Sequence, residues 1–344
     1  MITCPAPLTT SDRVLLGHGG GGRLSGELIQ KVFLKRLQDP LLQRLDDQAI
    51  FDSPGARLAF TTDSFVVKPL FFPGGDIGSL AVYGTVNDLA MGGAIPRYMS
   101  LAMILEEGLP LETLETVTES IARAAERCGV AIVTGDTKVV EHGSGDGLFI
   151  NTTGIGVVPG TIDLSAANVR PGDVILLSGS LGDHGITIMA KREGIDLECD
   201  LESDSAPLDQ MVRGMIEAHS GIRCMRDPTR GGLASALNEI AAVAGVSMRL
   251  DEARIPIKAP VRGACELLGL DPLYVANEGK LVAIVAPEAA DAVLVAMRAT
   301  ELGHDAARIG VVREGRSGLV TISTSLGAER VVDMLSGDQL PRIC

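Results

Sequence analysis

Residues 111–138 read LETLETVTESIARAAERC, then GVAIV, then TGDTK. In the first piece Leu111, Leu114, Val117, Ile121, Ala125 and Cys128 recur at helical spacing, so 111–128 is an amphipathic helix with one apolar face. Gly129 stops it. Residues 130–133 are a short buried strand. A helix feeding a buried strand is the unit of a layered α/β structure. On extended backbone Asp136 and Lys138 project to the same face, where they either pair with each other or meet a ligand together.

The alternation continues upstream. Leu58 and Phe60 mark a half-buried strand at 57–62, ending in Asp63, where a carboxylate past a strand end suits an α/β site. Residues 77–91 form a helix stopped by Gly92-Gly93 and carrying Asn87-Asp88 near its far end. An acid there opposes the helix dipole, which a cation would offset. Further upstream, Gly17-His18-Gly19-Gly20-Gly21-Gly22 precedes a helix at 24–37. Amides such as those of Gly20 and Gly21 can turn toward a phosphate; a flexible linker accounts for the glycines equally well.

Downstream, 149–158 is a strand, and Pro159-Gly160 with 170–173 flanks a domain boundary near 160–172. The second half opens with a strand at 174–177, a glycine turn at 178–185 and a helix near 186–193. An acidic surface loop at 195–206 and a helix at 211–219 follow. Asp227 and Pro228 make an N-cap and N1 pair for a helix at 229–244. Strand and helix patterns recur at 246–250, 260–268, 281–286, 288–300 and 307–313, and a hairpin at 318–334 precedes a tail.

Composition narrows the function. A chain of 344 residues accommodates two domains, and 46% hydrophobic residues supply their cores. Aromatics at 3% and a net charge of −14 argue against a nucleic-acid partner, which needs stacking platforms and a basic face. No apolar run is long enough to span a membrane, and the start of the chain has no apolar signal core, so a cytoplasmic protein is expected. None of the six cysteines forms a C-x-x-C pair, which disfavours a zinc or iron–sulfur site. Cys344 ends the sequence in Pro341-Arg342-Ile343-Cys344. It reads either as an incidental thiol on a frayed end or as an acceptor on a movable arm, its pKa held at or above the free value by the adjacent α-carboxylate.

Asp47, Asp63, Asp88, Asp136 and Asp227 each sit at a turn or element end. One such Asp ordinarily bonds its own turn. Five beside glycine turns point to one shared site in which Mg²⁺ bridges carboxylates and a triphosphate.

The segments at 18–22, Asp46-Asp47, 61–64, 87–93, 134–138 and 227–233 resemble the superfamily of aminoimidazole ribonucleotide synthetase, selenophosphate synthetase and thiamine-monophosphate kinase. Within it, 134–139 and the terminal Pro-Arg-Ile-Cys are most similar to the carbamoyl dehydratases of nickel–iron hydrogenase maturation. The resemblance implies a mixed α/β (α+β), two-domain aminoimidazole-ribonucleotide-synthetase-like fold. Residues 1–165 would bind ATP and pair in a homodimer through a β-barrel. Residues 166–324 would form an α/β domain, and 325–344 a flexible tail. It implies Asp47, Asp63, Asp88, Asp136 and Asp227 as ATP and Mg²⁺ ligands, the metal itself falling to Asp47, Asp63, Asp88 and Asp227. It sets Lys138 and Glu278 beside the modified Cys344; an ion pair with Asp136 and a solvated turn acid are the plain alternatives. His18 and His142 are further candidates to approach the site. Implied partners are a carbamoyltransferase of HypF type and an iron-carrying scaffold of HypC-HypD type. Another phosphotransferase of the superfamily would leave Cys344 idle, and a non-catalytic carrier would turn over no ATP.

Overall fold

The computed structural model describes residues 16–20, 22–36, 39–160, 162–195, 200–335 and 343–344. Helix α1 (Arg23–Leu28) widens into a π-helical stretch over Ile29–Leu34, where the sequence predicts an unbroken helix to 37. Neither piece has a buried residue, so no packing enforces regular α geometry there.

Strands β1 (Ala49–Ser53) and β2 (Ala56–Phe65) form a hairpin. Strands β3 (Phe71–Phe72) and β4 (Gly75–Asp76) then lead into α2 (Ile77–Met91). Asp76 caps α2, its Oδ1 accepting from the amides of Gly78 and Ser79 at 2.7 and 3.1 Å, while the Ser79 hydroxyl accepts from the Asp76 amide. Next come β5 (Ile95–Glu106), α3 (Leu111–Cys128), β6 (Ala131–Val140) and β7 (Leu148–Val158). The first sheet has the order β1-β2-β7-β5-β6, with β5 and β6 parallel and α3 as their crossover. Helices α2 and α3 cover one face, burying Val82, Val117, Ile121 and Cys128 against Phe65 and Met103. Leu111 is exposed instead of joining that stripe, because the first turn of α3 overhangs the core.

Asp63 and 134–138 lie inside strands, not past their ends, because β2 and β6 stay paired as far as Phe65 and Val140. Gly135 permits the close pairing: a Cβ there would lie 2.4 Å from the Leu101 carbonyl oxygen.

The second sheet is built from β8 (Val174–Leu177), β9 (Ile222–Arg226), β10 (Ser247–Asp251), β11 (Val282–Val285), β12 (Ala307–Arg313), β13 (Leu319–Ser323) and β14 (Glu329–Val331), in the order β14-β13-β10-β12-β8-β11-β9. Its helices are α4 (Asp183–Glu193), α5 (Asp209–Ala218), α6 (Gly232–Ala244), α7 (Ala259–Leu268) and α8 (Ala290–Arg298). Ile175 and Leu177 of β8 face the core under α6; Val174 and Leu176 face the opposite one, under α5 and α8. Burial on both faces is why this strand reads as an unbroken apolar run. Ala90 and Met91, at the end of α2, enter that second core and tie the two layers together.

Three expectations change here. Helix α6 starts at Gly232 with Gly231 as its N-cap, so Asp227 and Pro228 are not its cap pair. The Pro228 carbonyl is held by the Asn277 amide (3.1 Å) and its side-chain Nδ2 (2.9 Å), which keeps 227–230 outside the helix. The acidic loop is only partly a surface loop over 200–206: Asp200 and Glu202 are exposed, but Leu201 and Ala206 are buried and the Asp204 side chain is 3% exposed. Finally, β14 pairs with β13, and Val332 and Leu335 are buried, so no free arm begins at 325. Pro341 and Arg342 lie outside the described residues. Among the described residues no helix is long and apolar enough to cross a membrane.

Candidate active site between the two layers

Four of the five aspartates gather where the layers meet. Asp47 precedes β1, Asp63 lies on β2, Asp88 on α2, and Asp227 directly after β9. Burial raises the Asp88 carboxyl well above the usual range, and Asp227, Asp63 and Asp47 push it further. Burial and then Asp47 raise Asp227 to about 8. Asp47 is raised by burial against the pull of Arg226, whose Nε lies 3.3 Å away. Asp63, still open to solvent, is raised by its enclosed surroundings against the pulls of the Ser64 amide and Arg230. The Thr61 hydroxyl has one proton and two acceptors, the Asp47 carbonyl at 2.9 Å and Asp88 Oδ2 at 2.8 Å. A protonated Asp88 donating back to Thr61 satisfies both contacts.

Carboxylates gathered this closely favour a shared cation. Among the described residues no three His, Cys, Asp or Glu side chains converge as a ready-made metal cage. Magnesium is ordinarily held by one or two carboxylates, with phosphate oxygens and water completing its shell. These carboxylates fit that mode.

Ile343 and Cys344 are seated beside the acids. Ile343 is 3% exposed and packs into the first-layer core. Its carbonyl oxygen lies 2.5 Å from His184 Nε2. The main-chain oxygen of Cys344 accepts from the Val66 amide at 3.1 Å and from Arg230 Nη2 at 3.2 Å, and Arg230 Nε donates to Sγ at 2.9 Å. Burial pushes the thiol up to about 12; Arg230 pulls it down, and Glu278 and Asp63 raise it again. The thiol is therefore neutral here, and burial rather than the α-carboxylate is the main cause. Glu278 is 4% exposed, and its Oε1 has no hydrogen-bond partner among the described residues. Burial, then Asp227 and Asp204, raise its carboxyl well above the usual range. It is not a solvated turn acid.

Other predicted residues lie elsewhere. Asp136 and Lys138 form a 2.7 Å ion pair on the exposed face of β6. Phe65 and Thr137 are three strands apart in the sheet order, about 14 Å at the usual strand spacing, so one chain does not bring Lys138 to Cys344. His142 is exposed with Glu106 as its neighbour, and the His18 carbonyl takes the Ser25 hydroxyl. The Gly20 amide donates to Gly17 at 3.3 Å, closing a turn. Gly21 lies outside the described residues.

Family models of AIR synthase related protein match the N-terminal domain at 45–158 and the C-terminal domain at 170–323. Carbamoyl dehydratase HypE of Cupriavidus necator is 56% identical over 335 residues, covering 97% of this chain and 95% of the relative. The chain belongs to the HypE family. A solved HypE in complex with ATP shares 49% identity and a TM-score of 0.82 over 96% of this chain and all of that one. A chain of a HypE-HypF complex shares 45% identity and a TM-score of 0.86, covering 90% and 99%.

Three residues of this HypE-family site carry no local signal in the sequence. Arg230 lies in the 227–233 segment without a spacing that ties it to Cys344. Asp204 is one acid among several in the acidic stretch. His184 lies next to a glycine turn, and both partners of its ring, Ser203 and Ile343, are distant in the sequence.

Proposed function

We propose that this chain carries out the ATP-dependent dehydration of a carbamoyl group on Cys344, converting an S-carboxamide to a thiocyanate that supplies cyanide ligands for the iron of nickel–iron hydrogenase. One observation carries the reading: the Cys344 sulfur is seated against Arg230, within the electrostatic reach of Glu278 and Asp63, in a cleft of aspartates. Sequence identity to the carbamoyl dehydratase along almost the whole chain, and a relative solved with ATP, support it.

The chemistry follows from the difficulty of expelling an amide oxygen. That oxygen attacks the γ-phosphorus, and the bond to ADP breaks. The C–O bond then breaks with phosphate as leaving group, while the nitrogen gives up its two protons and forms the nitrile. Arg230 holds the sulfur and main-chain oxygen of the tip in place. Glu278 is a buried carboxyl whose Oε1 has no hydrogen-bond partner among the described residues; its raised pKa makes it a strong acceptor for a nitrogen proton once it has given up its own. Asp47, Asp63, Asp88 and Asp227 are assigned to Mg²⁺ with ATP, with Gly20 and Gly21 near the phosphates; when bound, the metal neutralises phosphate charge.

Pairing with a second copy through the first sheet is part of the proposal. Phe60, Tyr98, Ile104, Val133, Val139 and Ile155 are exposed on this sheet, and among the described residues β6 is its edge strand. Such a surface fits an interface that closes a barrel. Asp136 and Lys138 lie on the exposed edge strand β6, so a nucleotide contact for Asp136 and charge neutralisation by Lys138 depend on the second copy. The division into 1–165 and 166–324 remains part of the reading, with 325–344 as the segment that carries Cys344 rather than as a free arm, and so does a cytoplasmic setting. The solved HypE-HypF complex supports a carbamoyltransferase partner of HypF type; a HypC-HypD type scaffold would receive the cyanide.

Intact mass of the peptide ending in Cys344 tests the reading. After the carbamoyl donor system it should gain one carbamoyl group, and after MgATP it should lose one water. A tip that stays carbamoylated while ATP is consumed would leave a different phosphotransfer; no ATP turnover would leave a carrier.

A further inference from the structure

Resting on that reading, we propose that His184 is a positioning residue for the dehydration, coupling the seating of Ile343-Cys344 to the placement of Glu278. His184 is fully buried and uses both ring nitrogens. The Ile343 carbonyl only accepts, so Nε2, 2.5 Å away, carries the proton. Nδ1 then accepts from the Ser203 hydroxyl at 2.7 Å. One tautomer satisfies both partners without a charge. Phe72 meets the ring edge-on, with centroids 5.6 Å apart.

The contact continues through Ser203 and Asp204. Ser203 is pinned by its own amide, which donates to the Pro73 carbonyl at 2.9 Å, and its hydroxyl oxygen accepts from the Ser205 amide at 3.1 Å. Its neighbour Asp204 accepts from the Glu278 amide at 3.1 Å and the Gly279 amide at 3.3 Å, with Lys280 Nζ 3.2 Å away. A Cβ on Gly279 would lie 1.8 Å from the Asp204 carbonyl oxygen, so the two segments touch backbone to backbone. Asn87 Nδ2 holds the Glu278 carbonyl from the other side at 3.1 Å. The seated tip and the Glu278 backbone are thus the two ends of one short bonded segment, 203–204. When the tip leaves, a buried N–H of His184 loses its acceptor, which favours the seated arrangement.

The test uses the full chain with three readouts: alkylation of Cys344 by iodoacetamide without ATP, single-turnover dehydration of carbamoylated chain with MgATP, and MgATP affinity. Loss of one buried hydrogen bond predicts that His184→Ala speeds alkylation and slows dehydration, each by about tenfold, with MgATP affinity within about twofold. His184→Gln keeps a donor and should restore both rates to within about threefold of the parent. Ser203→Ala should move both rates in the same direction as His184→Ala. Unchanged alkylation in His184→Ala, or a Gln variant as impaired as the Ala variant, overturns the coupling. If the Ala variant does not fold, parental rates in Ser203→Ala do so. Alkylation is independent of the dehydratase reading, which the parent chain tests by itself.

Discussion

Arg230 holds the Cys344 sulfur through Nε at 2.9 Å and the main-chain oxygen of the same residue through Nη2 at 3.2 Å. Two donors of one planar group fix both position and orientation, which a lysine cannot reproduce. Charge-assisted bonds of this kind contribute about 1.5–3 kcal/mol each. Arg230→Gln is therefore expected to slow nitrile formation on carbamoylated Cys344 at least tenfold, and Arg230→Lys to recover only part of it. Single-turnover mass spectrometry checks this, and full recovery by Lys would mean that charge alone matters.

Glu278 sets function against stability. Its carboxyl is raised mainly by burial, so the folded chain holds a proton that the unfolded chain releases above its ordinary value. Folding stability from this group is full below that ordinary value and declines as pH rises toward the folded one. Glu278→Gln removes the decline. Without nucleotide, the variant should gain in Tm relative to the parent as pH goes from about 5 to about 8. Removing the proton acceptor should slow dehydration by about 10²–10⁴. A Tm difference that stays constant with pH would place the carboxyl in its ordinary range.

Much of this arrangement was readable in the sequence, for definite reasons. Helices 77–91 and 111–128 carry their signals locally, in caps and spacing, and both have the predicted bounds. Asp47, Asp88 and Asp227 stand out because each sits beside a turn or near an element end, and Asp63 because the apolar alternation of its strand fades there although the pairing runs on to Phe65. The strand limits at Asp63 and Asp136 were missed because they depend on pairing with β7 and β5, which is long-range. Asp204 was misread because an acid becomes buried only when distant amides, here those of Glu278 and Gly279, converge on it. The seat of the tip was not readable at all, since it is formed by Val66, His184 and Arg230, from three separate stretches.

The exposed edge strand β6 gives a prediction about assembly. Val133 and Val139 are 60% and 67% exposed there. If a second copy covers them, Val133→Lys puts a charge into an apolar contact and should shift the chain toward monomer. Light scattering at several concentrations reads this. A simultaneous loss of dehydration would tie Lys138 to the second copy, whereas a fully active monomer would remove pairing from the mechanism.

The last prediction concerns how the tip releases. Seating raises the Cys344 thiol from 9.0 to about 12, chiefly through burial, with Glu278 and Asp63 adding to it. A raised folded value means that the seated tip keeps its proton where a free tip has lost it. Seating is therefore at full strength below the free value and weakens about tenfold per pH unit above it, until the seated thiol itself titrates. Alkylation of Cys344, divided by that of a free Pro-Arg-Ile-Cys peptide, isolates this equilibrium from thiolate reactivity. Protection should be level from about pH 7 to 8.5 and fall roughly tenfold by about pH 10. The opposite trend would follow if Arg230 stabilised a thiolate in the seat: protection would climb with pH, because the charged sulfur would bind more tightly than the neutral one. The direction of the slope thus decides whether the guanidinium or the surrounding burial governs the sulfur, and a rising curve would mean that the seat activates the thiol rather than storing it.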